Sequence, residues 1–100
     1  MRVRTTRTYL EWISALKDLV GRARIQMRVD RLAHGNPGSH RGLGGGVSEL
    51  KIDFGPGYRV YYMERGDELI VLLAGGDKSS QQRDIKTALT LAGDFEDWTE

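Results

Sequence analysis

Two basic side chains, Arg59 and Lys78, are the residues of this sequence best suited to chemistry, because both stand at the ends of runs that predict buried strands. The guanidinium of Arg59 stays protonated and offers a planar fork that matches two phosphate oxygens. Lys78 stands between an apolar strand and the start of a helix, where backbone N–H groups favour anions. Together they predict a phosphate site, whereas a cross-strand ion pair of Arg59 with Asp53 would be purely structural.

The neighbouring strand positions carry further polar candidates. Glu49 beside Lys51 could take a proton from a ribose 2′ hydroxyl while Lys51 steadies the phosphate. A solvent-facing ion pair of Glu49 with Lys51 or Arg59 is the alternative. Tyr61 could stack on a base, although tyrosine is also an ordinary strand residue. These side chains extend the candidate site, with Glu49 as its candidate general base.

Three arginines, Arg24, Arg28 and Arg31, recur at spacings of four and three within a helical pattern. This spacing aligns them on one solvent-facing stripe of the helix. The stripe could follow a nucleic-acid backbone, but solvated arginines on an amphipathic helix are the commoner case. The sequence leaves both interpretations open.

Other kinds of site fit the sequence poorly. The Gly-Asp-Lys-Ser run at residues 76–79 is too short for a nucleotide-binding P-loop, and Asp77 replaces that loop's final glycine. The chain has no cysteine, so disulfides, thiol nucleophiles and cysteine-ligated zinc are excluded. His34 and His40 stand near a helix end without a pattern of metal ligands around them. We therefore expect a site without a metal or cofactor.

Helical periodicity predicts the elements that position these groups. Thr8 and Glu11 match a capping box, so a first helix is expected to begin there and to pack its apolar face on a sheet. Gly21 should separate it from a second, antiparallel helix. Ser79 with Gln82 is another capping-box match and predicts a last helix. The apolar positions of the first helix are Tyr9, Trp12, Ile13, Leu16, Leu19 and Val20.

Alternating apolar and polar residues predict an antiparallel hairpin in the middle of the chain. A three-residue turn at 55–57 would set its register. The expected pairs are Phe54 with Tyr58, Ile52 with Val60 and Leu50 with Tyr62. The opposite face, expected to be open, would hold Glu49, Lys51, Asp53, Arg59 and Tyr61. Residues 69–74 predict a central strand covered on both sides, and residues 38–46 are expected to form a glycine-rich loop.

The expected fold is a small α+β domain spanning residues 1–100, long enough to bury a core without staples. Its expected order is an N-terminal strand, a two-helix hairpin packed on a mainly antiparallel sheet of three further strands, and a C-terminal helix. Residues 93–100 are expected to form an acidic tail, whose Phe95 and Trp98 favour docking onto the body.

Charge is distributed unevenly along the chain. Residues 1–50 contain nine Lys and Arg against four Asp and Glu, whereas residues 51–100 contain six against ten. The basic half could attract phosphate, but composition alone favours a normally solvated surface with an acidic end. No apolar run is long enough to cross a bilayer and the N-terminus is not that of a signal peptide, so a soluble, cytoplasmic protein is expected.

Five motifs stand in a characteristic order. They are Tyr-Leu-Glu-Trp-Ile from Tyr9, Arg-Ala-Arg-Ile-Gln-Met-Arg-Val from Arg22, His-Gly-Asn-Pro-Gly from His34, Gly-Val-Ser-Glu-Leu-Lys-Ile from Gly46 and Gly-Pro-Gly-Tyr-Arg-Val-Tyr-Tyr from Gly55. In order and spacing they resemble the RelE/ParE toxins of bacterial toxin–antitoxin modules, most closely the HigB-like branch, also called addiction module killer proteins or phage Gp49-like proteins. The resemblance covers nearly the whole chain and implies a RelE-like fold.

The resemblance implies a type II toxin that is a metal-independent, ribosome-dependent mRNA endonuclease, in which a 2′ hydroxyl attacks the adjacent phosphate. Family ribonucleases commonly have an arginine at the place of Arg59, where it contacts the scissile phosphate. They have a basic residue near Lys78, and basic or acidic residues near Glu49 and Lys51. The resemblance also implies a cognate antitoxin as partner, usually a helix-turn-helix, HigA-like protein.

The last helix departs from the family pattern. Related nucleases usually bring a tyrosine or histidine from this helix to the site, whereas this chain has Gln81, Gln82 and Arg83. The departure keeps two alternatives open, a ParE-like poison of DNA gyrase and a catalytically inactive, phage-derived binding protein.

Overall fold

The computed structural model describes residues 1–96, which form a five-stranded mixed sheet with helices on both faces. This confirms the small α+β architecture expected from the sequence. The elements in chain order are β1 (Arg2–Thr5), α1 (Arg7–Ala15), α2 (Leu19–Ala33), β2 (His40–Gly44), β3 (Val47–Ile52), β4 (Tyr58–Arg65), β5 (Leu69–Gly76), a 3₁₀ turn (Lys78–Ser80) and α3 (Gln81–Glu96).

The strand order across the sheet is β1-β5-β4-β3-β2, so the last strand lies in the interior of the sheet between the first and the fourth. β1 runs parallel to β5, and all other neighbours are antiparallel. As the apolar run at residues 69–74 predicts, β5 is covered on both sides, with residues 70–74 buried. β2 was not expected, because its sequence is rich in glycine, which strands disfavour.

Two hydrophobic clusters lie on opposite faces of the sheet. One packs α1 and α2 against β3 and β4 through residues such as Ile25, Leu50 and Val60. The other packs α3 against β4 and β5 through residues such as Leu73 and Ala88. Because side chains alternate between faces along a strand, odd-numbered residues of β3 and β4 face α3 and even-numbered ones face α1 and α2.

The first helix begins two residues earlier than the Thr8–Glu11 pattern predicts. Thr6 is its N-cap, since the Thr6 hydroxyl accepts a hydrogen bond from the Tyr9 N–H at 3.0 Å. The same hydroxyl donates to the Leu73 carbonyl at 2.6 Å. The cap therefore also fixes α1 to β5, which a capping box read from the sequence alone cannot reveal.

The break between the first two helices lies at residues 16–18 and not at Gly21. The Asp18 carboxylate caps α2 by accepting the Gly21 N–H at 2.9 Å and also accepts the Tyr58 hydroxyl at 2.7 Å. A Cβ on Gly21 would lie only 2.6 Å from Asp18 Oδ2 and 2.7 Å from Tyr58 Cε2. Because Gly21 has no side chain, the Tyr58 ring can approach the Asp18 carboxylate that caps α2. Leu19 and Val20 are exposed and are not part of the core.

The central hairpin has the expected faces but a different register. Ile52 pairs with Tyr58 and Leu50 with Val60, a shift of two residues, because β3 ends at Ile52 and leaves residues 53–57 as the turn. A shift of two preserves which side chains share a face. Phe54 therefore stands in the turn and has no cross-strand partner.

Helix α3 extends further into the expected acidic tail than the composition of that tail suggests. α3 continues to Glu96, so residues 93–96 of the expected tail are part of the helix. Phe95 is buried, and the guanidinium carbons of Arg4 and Arg65 lie 5.9 and 5.2 Å from its ring centroid. Trp98 lies outside the described residues. None of the helices within residues 1–96 is both long and apolar enough to cross a lipid bilayer.

Candidate functional site

The candidate site is centred on a buried carboxylate, that of Glu49, which is 2% exposed. Its Oε1 accepts a hydrogen bond from Arg41 Nε at 2.9 Å. Its Oε2 accepts one from Gln81 Nε2 at 2.9 Å and lies 4.0 Å from Arg59 Nε. Glu49 therefore joins β2, β3, β4 and the start of α3 through one side chain.

Strand register places these groups on one face. Arg41 is opposite Glu49, and Glu49 is opposite Tyr61, so the three form a row across β2, β3 and β4. One step along the strands, Lys51 is opposite Arg59, which is opposite Gly76 on β5. The predicted grouping of Glu49, Arg59 and Tyr61 on one face of the hairpin is thus present in the structure.

The glycine pair at the end of β5 lets α3 approach this face. A Cβ on Gly76 would overlap the Asp84 carboxylate and lie 2.6 Å from the Ser80 hydroxyl. The turn into α3 is capped by Asp77, whose carboxylate accepts the Ser79 N–H at 2.8 Å while the Ser80 hydroxyl accepts the Asp77 N–H. The Ser79–Gln82 capping box expected from the sequence is therefore wrong, because the capping residue is Asp77, which accepts the Ser79 N–H.

The expectation that this face is open is also wrong, because α3 covers much of it. Arg59 is 6% exposed and Tyr61 is fully buried. Burial, with the negative charges of Glu49 and Asp84 nearby, raises the pKa of the Tyr61 hydroxyl well above its usual range. The Tyr61 ring lies under α3 in this structure and has no free face on which a base could stack.

Glu49 remains ionised in this setting. Burial by itself would raise the pKa of its carboxyl, but the hydrogen bonds from Arg41 and Gln81 and the charges of Arg41 and Arg59 outweigh burial and lower that pKa. The same contact with Glu49 raises the pKa of Arg41. A carboxylate with both oxygens bonded and a lowered pKa is a weak proton acceptor, so the geometry disfavours Glu49 as a general base.

Arg59 is held by the turn that precedes it. Its Nη1 donates to the Gly57 carbonyl at 2.9 Å and to the Tyr58 carbonyl at 3.4 Å, and its buried Nε has no hydrogen-bond partner within residues 1–96. Its ionic partner is Glu49 and not Asp53, because Asp53 lies beyond the end of β3.

Arg59 and Lys78 come together around Gly57. An ideal Cβ on Gly57 would lie 3.3 Å from Arg59 Nη1 and 3.6 Å from Lys78 Cβ. Gly57 adopts a φ of 80°, a conformation in which other residues are strained. The Arg59 guanidinium therefore lies close to the base of the Lys78 side chain, with Arg59 buried and Lys78 exposed.

Several exposed basic side chains lie around buried Glu49 and Arg59. Lys78 lines a shallow groove of about 630 Å³ over the start of α3 together with Arg83 and Lys86. Lys51 and Arg41 are exposed on the sheet side of the same face. This arrangement, which we call the cationic rim, consists of Arg41, Lys51, Lys78, Arg83 and Lys86.

The arginines of α2 lie on the opposite face of the sheet. Arg28 is not a free cation, because its Nη1 donates to the Lys51 carbonyl at 2.6 Å and its Nη2 to the carbonyls of Pro37 and Ser39 at 2.8 and 2.9 Å. The Arg24 guanidinium stacks on the Phe54 ring at 4.7 Å. Arg31 is exposed. All three arginines nevertheless line one groove of about 270 Å³, which lies on the face away from Glu49 and is separate from the candidate site.

Within residues 1–96, no cluster of three or more histidine, cysteine or acidic side chains could hold a metal ion. His34 Nδ1 and His40 Nδ1 instead lie 2.7 Å from the carbonyl oxygens of Asp30 and Gly38. Both histidines are thus occupied in local backbone contacts.

Sequence reasoning missed two residues of the site, Arg41 and Gln81. Arg41 lies in the stretch expected to be a loop, where no alternation of apolar residues indicated a strand. Gln81 was seen only as a departure from a family pattern. The available signal was the Gly75–Gly76 pair at the end of an apolar strand, which indicates close approach by other elements.

Comparisons with known proteins place this chain in a family. The profile of the family described as phage derived protein Gp49-like (DUF891) matches residues 11–93. An uncharacterized protein of Haemophilus influenzae, strain Rd, is 46% identical over 92 residues, which cover 92% of this chain and 93% of the relative. No solved structure shows a significant match. The matched family is associated with toxin–antitoxin modules. The chain therefore belongs to the Gp49-like family of phage-derived proteins.

Proposed function

We propose that this protein is the toxin of a type II toxin–antitoxin module, of the RelE/ParE superfamily and its HigB-like branch, and that it is a metal-independent, ribosome-dependent mRNA endonuclease. The observation that carries the proposal is the meeting of Arg59 and Lys78 around Gly57, beside the cationic rim. Such a surface fits a polynucleotide phosphate and does not fit an apolar ligand. Family membership supports the toxin class.

The proposed reaction is an intramolecular transfer at phosphorus. The ribose 2′ oxygen bonds to the adjacent phosphorus, the bond from phosphorus to the 5′ oxygen breaks, and a 2′,3′-cyclic phosphate and a 5′ hydroxyl result. The 2′ proton passes to solvent, and the leaving oxygen takes a proton from water. Arg59 would stabilise the charge that develops on the phosphate, and Lys78 the charge on the leaving oxygen.

In this scheme Glu49 orders the cations and does not accept the proton. Both of its oxygens already accept hydrogen bonds from Arg41 and Gln81. The rate would then depend on charge stabilisation and on alignment of the 2′ oxygen with the phosphate. Alignment by the ribosome would account for a requirement for translated mRNA.

One observation favours a second candidate, a ParE-like DNA gyrase poison. Among residues 1–96, the buried site offers one phenol, whose pKa is raised, and one carboxylate, whose pKa is lowered. Neither is matched to proton transfer near neutral pH. Inhibition of gyrase needs a binding surface and no proton-transfer groups. A catalytically inactive, phage-derived binding protein is the third candidate.

The proposal implies partners and a compartment. mRNA on the ribosome would be the target, with gyrase as the alternative, and both place the protein in the cytoplasm. A cognate antitoxin, a HigA-like helix-turn-helix protein, would bind the toxin and hold it inactive. An acidic segment of that antitoxin would complement the cationic rim.

Brief induction in bacteria followed by mapping of RNA ends tests the proposal. The wild-type protein should stop growth and generate new ends inside translated regions. Lys78→Met should lower the frequency of these ends by about a hundredfold, the cost of one preorganised charge in a transition state. The matched control is Lys17→Met, because Lys17 is an exposed lysine between α1 and α2.

Two results would contradict the endonuclease, and a third would contradict the role of Lys78. DNA breaks and filamentation without new RNA ends would point to gyrase. Normal growth with soluble, folded protein would point to the inactive binding protein. RNA ends unchanged by Lys78→Met would remove Lys78 from the reaction.

A further inference from the structure

More than half of the Arg41 side chain is exposed to solvent. Its side chain is 59% exposed, and its Nε donates to Glu49 Oε1 at 2.9 Å. Neither of its Nη atoms donates a hydrogen bond within residues 1–96. Because a guanidinium recognises an anion through such paired N–H groups, the outer edge of Arg41 is available to a phosphate.

Glu49 explains why Arg41 holds this orientation. Arg41 belongs to β2, an edge strand with glycines at 42 and 44 and an irregular register between them. Such a backbone alone would leave a long side chain poorly ordered. The buried Glu49 carboxylate holds the Nε side of the Arg41 guanidinium, so that its outer edge, with the two Nη atoms, faces solvent.

Stability alone is a poor explanation for a buried acid at this position. A buried ion pair is often no more stable than apolar residues of similar volume. The same face of the sheet also carries buried apolar side chains such as Val47 and Met63. The Glu49 carboxylate therefore has a different consequence, which is to order the donors around it.

The register sets the spacing of the cations. Arg41 and Glu49 belong to one row across the sheet, and Lys51 and Arg59 to the next row on the same face. Rows two residues apart are separated by about 6.8 Å along a strand. Glu49 contacts both rows, because it bonds Arg41 and lies 4.0 Å from Arg59 Nε.

We infer that Arg41 binds the phosphate next to the one held by Arg59 and Lys78 in a single-stranded RNA, and that Glu49 is the residue that positions Arg41. This inference rests on the proposed function and adds a second phosphate contact to it. It turns a single anion site into a surface that follows an RNA backbone. Arg41 is a binding residue in this scheme, and Glu49 acts only through Arg41.

Binding of a fluorescein-labelled, short 2′-O-methyl oligouridylate tests the contact, because this RNA lacks the attacking 2′ hydroxyl and cannot be cleaved. The dissociation constant is measured by fluorescence anisotropy over a series of KCl concentrations. Each phosphate contact to a single strand contributes about 0.7 to the slope of log K against log salt. Arg41→Gln should reduce the magnitude of the slope by about 0.7, whereas the control Arg7→Gln, an exposed arginine of α1, should leave it unchanged.

The Glu49→Gln variant distinguishes two roles of Glu49, positioning of Arg41 and contribution of negative charge. If Glu49 only contributes negative charge, its removal strengthens RNA binding. If Glu49 positions Arg41, its removal weakens binding and lowers the slope as Arg41→Gln does, and the double variant loses little more than either single variant. Arg41→Lys, which keeps the charge but not the fork, should restore the slope but only part of the affinity.

Thermal unfolding of each variant controls for folding, and Arg41→Gln keeps the test valid if Glu49→Gln fails to fold, because Arg41 is exposed on an edge strand. An Arg41→Gln protein with wild-type affinity and slope would overturn the inference. So would a wild-type protein that does not bind the oligonucleotide but still generates RNA ends in cells, an outcome that leaves the proposed function standing. If both binding and RNA ends are absent, the proposed function fails as well.

Discussion

The two faces of one sheet in this protein differ in what they bury. The face under α1 and α2 is built from apolar and aromatic side chains, and the hydroxyl of Tyr58 is satisfied there by Asp18. The face under α3 buries Glu49, Arg59 and Tyr61 among its apolar residues. Two of these polar groups, Arg59 Nε and the Tyr61 hydroxyl, have no hydrogen-bond partner within residues 1–96. The face under α1 and α2 also has one such atom, Arg28 Nε, so the two faces differ in that the second buries an ionic cluster and not in whether every buried polar atom is satisfied.

The adjacent residues Tyr58 and Arg59 show the contrast within one strand. They are consecutive in β4, so their side chains point to opposite faces. Tyr58 ties the sheet to the cap of α2, whereas Arg59 joins the ionic cluster of Glu49. The Gly-Tyr-Arg motif at residues 57–59 thus contains one structural residue and one candidate site residue side by side.

Truncation in the apolar face should give the largest effect on stability. Leu50 is fully buried among α2 and β4 residues. Leu50→Ala should lower the free energy of unfolding by about 2–5 kcal/mol, because it removes buried methyl groups and leaves a cavity. Urea unfolding measures the loss, and RNA binding per folded molecule should stay at the wild-type level. A selective loss of RNA binding would contradict the division between the faces.

The neighbouring glycines of β5 allow a matched comparison of the faces. A Cβ on Gly75 would overlap the rigid Trp12 ring, whereas one on Gly76 would overlap the carboxylate of Asp84, a side-chain end that can move. We expect Gly75→Ala to cost about 3 kcal/mol of stability and Gly76→Ala about 1 kcal/mol. Thermal and urea unfolding measure both.

Gly76→Ala should nevertheless impair RNA binding more than Gly75→Ala, because it displaces the start of α3 and with it Gln81 and Lys78. The binding measurement is made on folded protein below the unfolding transition. Equal loss of binding in the two variants would show that α3 does not position the site.

Acid should weaken the ionic cluster selectively. The pKa of Glu49 in the folded protein is lower than the value of 4.5 for an unperturbed glutamate. The cluster therefore contributes stability that is fully present above pH 4.5 and is lost as the pH falls through the lower, folded-state pKa. The groups that set this pKa are Arg41, Gln81 and Arg59.

The difference in unfolding free energy between the wild type and Glu49→Gln should thus be constant above pH 4.5 and shrink below it. Asp18 and Asp77 also have lowered pKa values, but both variants share them, so they cancel in the difference. A difference that grew with acid would mean that Glu49 is protonated more easily in the folded protein.

The smallest effect is expected on the arginine-bearing helix. Arg24→Ala removes the stack of the guanidinium on Phe54 and should cost about 0.5–1 kcal/mol of stability. Because Arg24 lies on the face away from Glu49, the salt dependence of RNA binding should not change. A fall in slope equal to that of Arg41→Gln would bring α2 into the RNA surface and break the comparison.

The sequence allowed the faces of the sheet to be predicted better than the contacts on them. Alternation placed Glu49, Arg59 and Tyr61 together even though the register was wrong by two residues, because side chains alternate with a period of two. It gave no indication that α3 would cover them, since that depends on the space left by Gly76. β2 was missed because its glycines conceal alternation, and with it Arg41 was missed.

The capping residues show a similar limit. Helices in the structure are capped by Thr6, Asp18 and Asp77. Thr6 also contacts a strand, Asp18 also contacts a tyrosine, and Asp77 also contacts a serine. Local patterns such as Thr8 with Glu11 were reasonable alternatives by propensity alone. The tertiary contacts decided between them.

The position of β5 has a consequence for the order in which this protein folds. β5 lies between β1 and β4, so the pairing of Arg2 with Leu69 closes nearly the whole length of the chain. Contacts of such wide sequence separation form late, because the loop between them must be closed first. During synthesis β1 cannot pair until β5 has been made. Arg59 of β4 and Lys78 of the turn after β5 cannot come together until β5 is in place. The candidate site of such a chain would therefore form only after β5 and the start of α3 have been synthesised.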